Sequence, residues 1–484
     1  MKLRELLSEV QVLACTADME LEIPQVVCDS RKVSPGCLFV AVSGFSSDGN
    51  RFIPMAMEKG AGVIVTAKKP QQQVPYVLVE NDRLALALIS SAFYGHPSRA
   101  MTMIGVTGTN GKTSSTLLLK QVIEKTLGAR VGLVGTMENQ IGSLSIPTER
   151  TTPESIELQA LFARMRDAGC QYVIMEVSSH AVVLNRIGGI HFQTAAFTNL
   201  TEDHLDFHKT MDAYCDAKAE LFRRCDRAVI NRDDPYAERM LSAAACPVIT
   251  TSEQGKGDLN AMDLDLQAEG VSFAAAYENE KTRVHVPIPG RFTVYNALTV
   301  LGIALSLGIP LASAAGALAD VQGVKGRIEV VPTENMPYSV LIDYAHTPDG
   351  LENVIRSVKD FCKGRVIAVF GCGGDRDPIK RPIMGEIGVK YADLAIITSD
   401  NPRTEEPEAI IEDILKGVSP ELGEYRVICD RRQAIRYAMD IAEKDDIIIL
   451  AGKGHETYQE IQGVKYHLDE REEVAAHLRE LRNN

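Results

Sequence analysis

The sequence has no apolar stretch of about 18 residues, the length a membrane-spanning helix needs. Its start, MKLRELLSEVQ, carries Glu5 and Glu9 where a signal peptide requires an unbroken apolar run, so a cytoplasmic location without membrane insertion is expected. No Cys-x-x-Cys pair and no His/Cys cluster at zinc spacing occurs, and the 10 scattered cysteines read as reduced, mostly buried thiols. A basic excess is missing as well: 51 Lys and Arg face 65 Asp and Glu, for a net charge of −14. Such a chain cannot displace counterions from phosphates broadly, which excludes nonspecific nucleic-acid binding. Anionic ligands must be held by local devices. There is also no internal repeat, low-complexity tract or long Pro/Ser linker.

What is present is ordinary globular composition, 45% hydrophobic and 24% charged, over 484 residues. That length favours roughly three domains. Residues 1–98 hold short apolar runs such as Leu38–Val42 and Gly62–Val65 between Gly, Ser and Asp turns, the pattern of a small α/β module. Residues 99–327 follow a strand, Gly-rich loop, helix order and then alternate strands and helices to about residue 326. Residues 328–484 form a third α/β block, with strands read at 340–342, 365–370, 394–398 and 446–450. A parallel sheet binds ligands beyond the carboxyl ends of its strands.

The segment Ile104-Gly105-Val106-Thr107-Gly108-Thr109-Asn110-Gly111-Lys112-Thr113 runs from a strand into a helix read from about Ser114. Its backbone N–H groups can close around phosphates, Lys112 can reach the outer ones, and the Thr113 hydroxyl can sit on Mg²⁺. Val106 stands where the common phosphate loop has glycine, which weakens a generic GTPase or kinase reading. The stretch Tyr172-Val173-Ile174-Met175 reads as a buried strand delivering Glu176 at its end, where a carboxylate can hold Mg²⁺ against a phosphate. A second strand, Ala195–Thr198, leads into the acidic loop Asn199–Asp206, which includes His204. On a helix read over Met211–Phe222, Lys218 shares the apolar face of Met211, Tyr214, Leu221 and Phe222. Either its ammonium snorkels to water, or burial favours a neutral amine able to add CO₂ and become an anionic carbamate.

The loop TGTNGKT resembles that of the Mur ligase family, and later segments extend the resemblance over essentially the whole chain. The resemblance implies an α/β chain of three domains: a small N-terminal UDP-binding domain, a central P-loop ATPase-like domain with a mainly parallel sheet, and a C-terminal Rossmann-like domain. It implies ATP as co-substrate, held by Thr107 to Thr113, and two Mg²⁺ ions held by Thr113, Glu176, His204 and Lys218 as its carbamate. Lys112, Lys218, His204 and Glu176 are then the catalytic set. Pro289–Ala297 resembles the family segment whose asparagine, here Asn296, contacts adenine. Arg327, in Gly326-Arg327-Ile328-Glu329, is expected near the phosphates, and Asp343 and His346, in Val340–His346, are expected on the nucleotide.

Cys28–Val33 and Gly44-Phe45-Ser46-Ser47-Asp48-Gly49 resemble uridine-diphosphate loops, with Ser30 the residue carried over. Thr151, Thr152, Ser178 and Arg186 match positions contacting a muramoyl dipeptide. In the third block, Gly373–Arg376, Asp400-Asn401-Pro402-Arg403 and Gly452–Glu456 each follow a strand and open on one sheet edge. The Asp-Asn-Pro-Arg quartet resembles that of the diaminopimelate-adding subgroup. The distal carboxylate of meso-diaminopimelate suits the guanidinium forks of Arg403 and Arg376. Asp400 and Glu456 suit its distal ammonium, with Asn401, Pro402 and Gly452 around them. The implied activity is ATP-dependent ligation of meso-diaminopimelate to the D-glutamate γ-carboxylate of UDP-N-acetylmuramoyl-L-Ala-D-Glu through an acyl phosphate. A monomer is expected.

Overall fold

Short aliphatic runs bounded by glycine turns become buried strands, and alternate residues along them sort onto two faces. The structure, a computed structural model, describes residues 1–44, 48–148, 150–267, 269–323, 325–333, 336–419 and 421–483, for Asp206, Arg482 and Asn483 the backbone alone. Phe45-Ser46-Ser47 of the second uridine-diphosphate segment therefore lies outside the described residues. The fold is mixed α/β with largely parallel sheets. The chain divides into two compact units, one of residues 1–260 with 298–314 and one of 261–297 with 315–484.

The first unit holds two sheets. The smaller runs Val12–Cys15, Tyr76–Val79, Val63–Thr66, Leu38–Val40, Val26–Val27, with only the Val12–Cys15 edge antiparallel. Leu38, Val40, Val63 and Val65 face Leu3, Leu6, Leu86 and Ile89, while Phe39 and Ile64 face Ile53 and Ala56. In the larger sheet Thr102–Thr107 is flanked in parallel by Tyr172–Glu176 and Phe192–Phe197. The registers pair Glu176 with Val106 and Phe197 with Thr107. Three carboxyl ends therefore stop level, and the residues that follow open onto one edge.

The second unit is built on the order Glu329–Val331, Ser339–Asp343, Ile447–Ala451, Val366–Phe370, Leu394–Ile397, Tyr425–Val427, parallel except at the Glu329–Val331 edge. Leu341, Ala368, Phe370, Ile397 and Ile449 pack on one face against the helices Pro348–Lys359, Lys380–Tyr391 and Pro407–Leu415. Val340, Ile342, Val369, Ile396 and Ile448 pack on the other against Arg431–Asp440 and Glu470–Asn483. Helices on both faces make this a doubly wound sheet.

Three readings of the sequence are corrected. The helix after the phosphate loop spans Lys112–Leu127 and so begins before Ser114. The helix carrying Lys218 is α-helical over Met211–Ala219 and tightens into a 3₁₀ turn, Glu220–Arg224. The strand and helix alternation breaks at Leu259–Gln267, Gly270–Tyr277 and Glu280–Val286, three successive strands whose polar and apolar residues alternate too closely for a helix. Among the described residues, no helix is long and apolar enough to cross a membrane.

Candidate functional site

The phosphate loop is shaped by the end of the neighbouring strand. Gly108 has φ of +151°, and a Cβ there would lie 1.9 Å from Thr198 Oγ1, so the close approach needs glycine. Thr109 N donates to Asn199 O at 2.8 Å, Asn110 N to Asn199 Oδ1 at 2.9 Å, and Thr198 Oγ1 to Asn110 O at 2.6 Å. Buried Thr107 donates through Oγ1 to Val177 O at 2.9 Å. Gly111 leads into the helix Lys112–Leu127, whose first N–H groups face the loop, the standard arrangement for anion binding. Lys112 Nζ is folded onto the carbonyls of Gly108, at 2.9 Å, and Thr109, at 2.8 Å.

Glu176 is the hub of the site, with only 1% of its surface exposed. Its carboxylate accepts from Thr113 Oγ1 at 3.0 Å and from Thr136 N and Oγ1, each at 2.9 Å. Thr136 is a residue that sequence reasoning missed, because a lone threonine after Val131–Val134 carries no motif. Its hydroxyl lies 3.0 Å from that of Thr151. Thr152 Oγ1 donates to Glu176 O at 2.8 Å and accepts from Ser178 N at 3.2 Å, while Arg186 Nη1 donates to Thr152 O at 3.1 Å. Arg186 Nε is 3.5 Å from Glu154, which also lies 3.8 Å from Arg83. Burial pulls the Arg186 guanidinium below its ordinary pKa, with Glu154 opposing and Arg150 and Arg83 adding to the shift. Thr151, Thr152, Ser178 and Arg186 thus converge on Glu176. Ser30 is buried in the turn Ser30–Lys32, its carbonyl accepting from Lys59 Nζ at 3.1 Å.

Lys218 does not snorkel. It is 2% exposed, its Nζ donates to Gly108 O at 2.8 Å and sits 4.5 Å from the Tyr214 ring centre. Burial holds its pKa well below the lysine range, and the neighbouring Lys112 charge pushes the same way. His204 is half-exposed at a left-handed φ of 55°, its ring 4.8 Å from that of His180. Four residues on, buried His208 is paired with Ser179 Oγ at 2.8 Å. Among the described residues no three His, Cys, Asp or Glu side chains form a metal-holding group. The oxygens of half-buried Thr113 and buried Glu176 beside the loop are nonetheless the donor type that Mg²⁺ prefers.

In the second unit, Asp343 ends its strand and accepts from Ile328 N and Ala345 N, each at 2.8 Å. Burial raises its pKa, against the Arg327 guanidinium and these two donors. Arg327 lies 5.1 Å from the Tyr344 ring centre, and His346 Nδ1 lies 2.8 Å from Tyr344 O. Asn296 is buried on the helix Arg291–Ser306.

The Asp-Asn-Pro-Arg loop is clamped by a hairpin, Tyr458–Ile461 with Val464–His467, that the sequence had not revealed. Arg403 N donates to Glu460 O at 2.9 Å, Gln462 N to Arg403 O at 2.6 Å, and Gln459 Nε2 to Asp400 O at 2.6 Å. Gly374 N donates to Asn401 O at 2.9 Å, and Gly374 packs on Pro402. Arg403 Nη1 donates to Gly374 O at 2.7 Å, so one fork arm is tied to the loop that carries exposed Arg376. Buried Asp400 and half-buried Glu456 are both close to a residue not assigned from the sequence: Lys453 Nζ lies 3.5 Å from the first and 3.4 Å from the second.

Three family descriptions match the chain in order: Mur ligase family, catalytic domain, over residues 22–94; Mur ligase middle domain over 106–304; and Mur ligase, glutamate ligase domain, over 326–454. The chain is 47% identical to the UDP-N-acetylmuramoyl-L-alanyl-D-glutamate--2,6-diaminopimelate ligase of Clostridium botulinum, over 95% of this chain and 96% of that protein. It is 46% identical to the ligase of the same name from Clostridium tetani, over 99% and 100%. A solved structure of a UDP-N-acetylmuramoyl-L-alanyl-D-glutamate--2,6-diaminopimelate ligase superposes with a TM-score of 0.76 at 31% identity, covering 100% of both chains.

Proposed function

The chain belongs to the Mur ligase family, and we propose that it works in the cytoplasm as an ATP- and Mg²⁺-dependent ligase of peptidoglycan precursor synthesis. It joins an amine of meso-diaminopimelate to the D-glutamate γ-carboxylate of UDP-N-acetylmuramoyl-L-Ala-D-Glu. The observation that carries this reading is one buried carboxylate, that of Glu176, bonded on one side to Thr113 of the phosphate loop and through Thr136 to Thr151 on the other. Nucleotide residues and acyl-substrate residues share one support, as phosphoryl transfer onto a bound carboxylate requires.

In the proposed reaction the loop N–H groups and Lys112 hold the ATP phosphates, with Asn296, Arg327, Asp343 and His346 as further nucleotide contacts. Ser30, Thr151, Thr152, Ser178 and Arg186 hold the sugar-nucleotide dipeptide. Thr113, Glu176, His204 and Lys218 as its carbamate are the residues that would hold Mg²⁺, as a pair of ions. Bound there, Mg²⁺ neutralises the charge that otherwise opposes attack of one anion on another. A γ-carboxylate oxygen attacks the γ-phosphorus as the bond to ADP breaks. The amine nitrogen then attacks the acyl carbon, phosphate leaves, and the surplus amine proton passes to solvent. Arg403 and Arg376 receive the distal carboxylate. Each charge-assisted bond is worth about 1.5–3 kcal/mol, roughly ten- to a hundredfold in selection over lysine, which has no such carboxylate.

Phosphate release with ATP, Mg²⁺ and the muramoyl dipeptide, across a panel of amino acids, tests this. Turnover is expected with meso-diaminopimelate and not with lysine. Equal rates with both would remove the specificity assignment, and no ADP with any amine would remove the ligase.

A further inference from the structure

We infer that Lys453 is a positioning residue for amino-acid selection, its buried ammonium arranging Asp400, Asn401 and Glu456 as a receptor for one incoming ammonium group. The inference rests on the amino-acid site proposed above and assigns a role to a residue outside that set. Lys453 has a fully buried side chain. Its Nζ lies 3.2 Å from Asn401 Oδ1, 3.4 Å from Glu456 Oε2 and 3.5 Å from Asp400 Oδ1. Asn401 Nδ2 donates to the same Glu456 oxygen at 2.8 Å, and Asn401 Oδ1 also accepts from Glu460 N at 2.9 Å. One ammonium therefore sets the direction of all three side chains.

Two further features show that the arrangement is built. Gly452 has φ of +115°, and a Cβ there would stand 2.6 Å from Asp400 Oδ2, so the carboxylate is accommodated by an absent side chain. Below it, Arg431 and Glu470 form a fully buried pair at 2.7 Å, neutral as a unit. Within the receptor, two carboxylates and one ammonium leave a single negative charge. One substrate ammonium completes the balance. Without Lys453 the two acids would repel each other in a buried place, and separation or proton uptake would spoil the receptor.

The test is steady-state kinetics of Lys453→Met and Lys453→Arg beside the parent, with folding checked by thermal melting. The KM for meso-diaminopimelate is expected to rise tenfold or more in Lys453→Met. KM values for ATP and the muramoyl dipeptide should stay within twofold. Lys453→Arg, which keeps the charge but moves it, should fall between parent and Lys453→Met. A parent that never turns over diaminopimelate refutes the ligase reading itself. An active parent whose Lys453→Met variant keeps its amino-acid KM within twofold, or loses all three substrates alike, overturns the inference. If Lys453→Met does not fold, Lys453→Arg decides alone, and an unchanged amino-acid KM in it has the same force.

Discussion

Two lysines donate to one carbonyl oxygen: Lys112 Nζ at 2.9 Å and Lys218 Nζ at 2.8 Å from Gly108 O. Two ammonium groups so placed repel, and Lys218, the more deeply buried, yields its proton more readily. Its neutral amine nitrogen can attack CO₂ and lose a proton to give the carbamate. With CO₂ excluded, the unfolded chain binds a proton that the folded chain does not, between the lowered folded pKa and the unfolded value of about 10.4. Stability of the parent must therefore rise with pH across that window and be least below it. Lys218→Ala tests both properties. In urea titrations at stepped pH the variant should lack that rise, and its ligase activity should be restored in part by a short-chain carboxylic acid. Parallel stability curves, or full activity without the acid, would sink the respective claim. Helical spacing had put Lys218 on the apolar face, but its partner lies 110 residues away in sequence, beyond the reach of any periodicity. Thr136 and Lys453 escaped notice for the same reason, since Glu176 and Asp400, the carboxylates that give them meaning, are distant in sequence.

Elements were legible where their residues had one job. The second unit's strands sort Leu341, Ala368 and Ile449 from Val340, Val369 and Ile448 with a period of two on a sheet covered on both faces. Hence the four central strands lie within a residue or so of the positions read from sequence. The strand run from Leu259 to Val286 was misread because its neighbours alternate with helices, and the hairpin Tyr458–His467 went unread because it is short, with one strand half-buried and the other exposed. The phosphate loop offers the sharpest element-scale test. A methyl group at position 108 would meet Thr198 Oγ1 and the Asn199 backbone, the two neighbours that shape the loop. Gly108→Ala should consequently melt at a lower temperature than the parent, since alanine strains both the backbone and the contact with Thr198, and lose at least tenfold in ATP affinity by calorimetry. Unchanged ATP affinity would show that the loop's contacts with Thr198 and Asn199 do not determine nucleotide binding.

At the scale of the whole molecule, a net charge of −14 and a requirement for anionic ligands are reconciled by confining positive charge to particular places. Lys112 stands at the phosphate loop, Arg186 and Arg83 about Glu154, and Arg403 beside Arg376 at the end of a sheet. Family likeness over the full length was legible because the motifs keep their order along the chain, whereas pairs such as Arg431 with Glu470 required the fold. The placement of charge also bears on which bond of ATP is broken. Lys112 lies at the start of its helix with Thr113 and Glu176 immediately beside it, where the outer phosphates of a nucleotide seated on the loop would rest. Attack is therefore expected at the γ-phosphorus, giving ADP, with the γ-carboxylate of D-glutamate lending one oxygen to the departing phosphate. Muramoyl dipeptide labelled with ¹⁸O in that carboxylate should deliver one labelled oxygen to each phosphate released, read by mass spectrometry of the product. Unlabelled phosphate, or AMP with pyrophosphate, would mean that the acid is activated some other way and that the charges at Lys112 and Glu176 serve a different step.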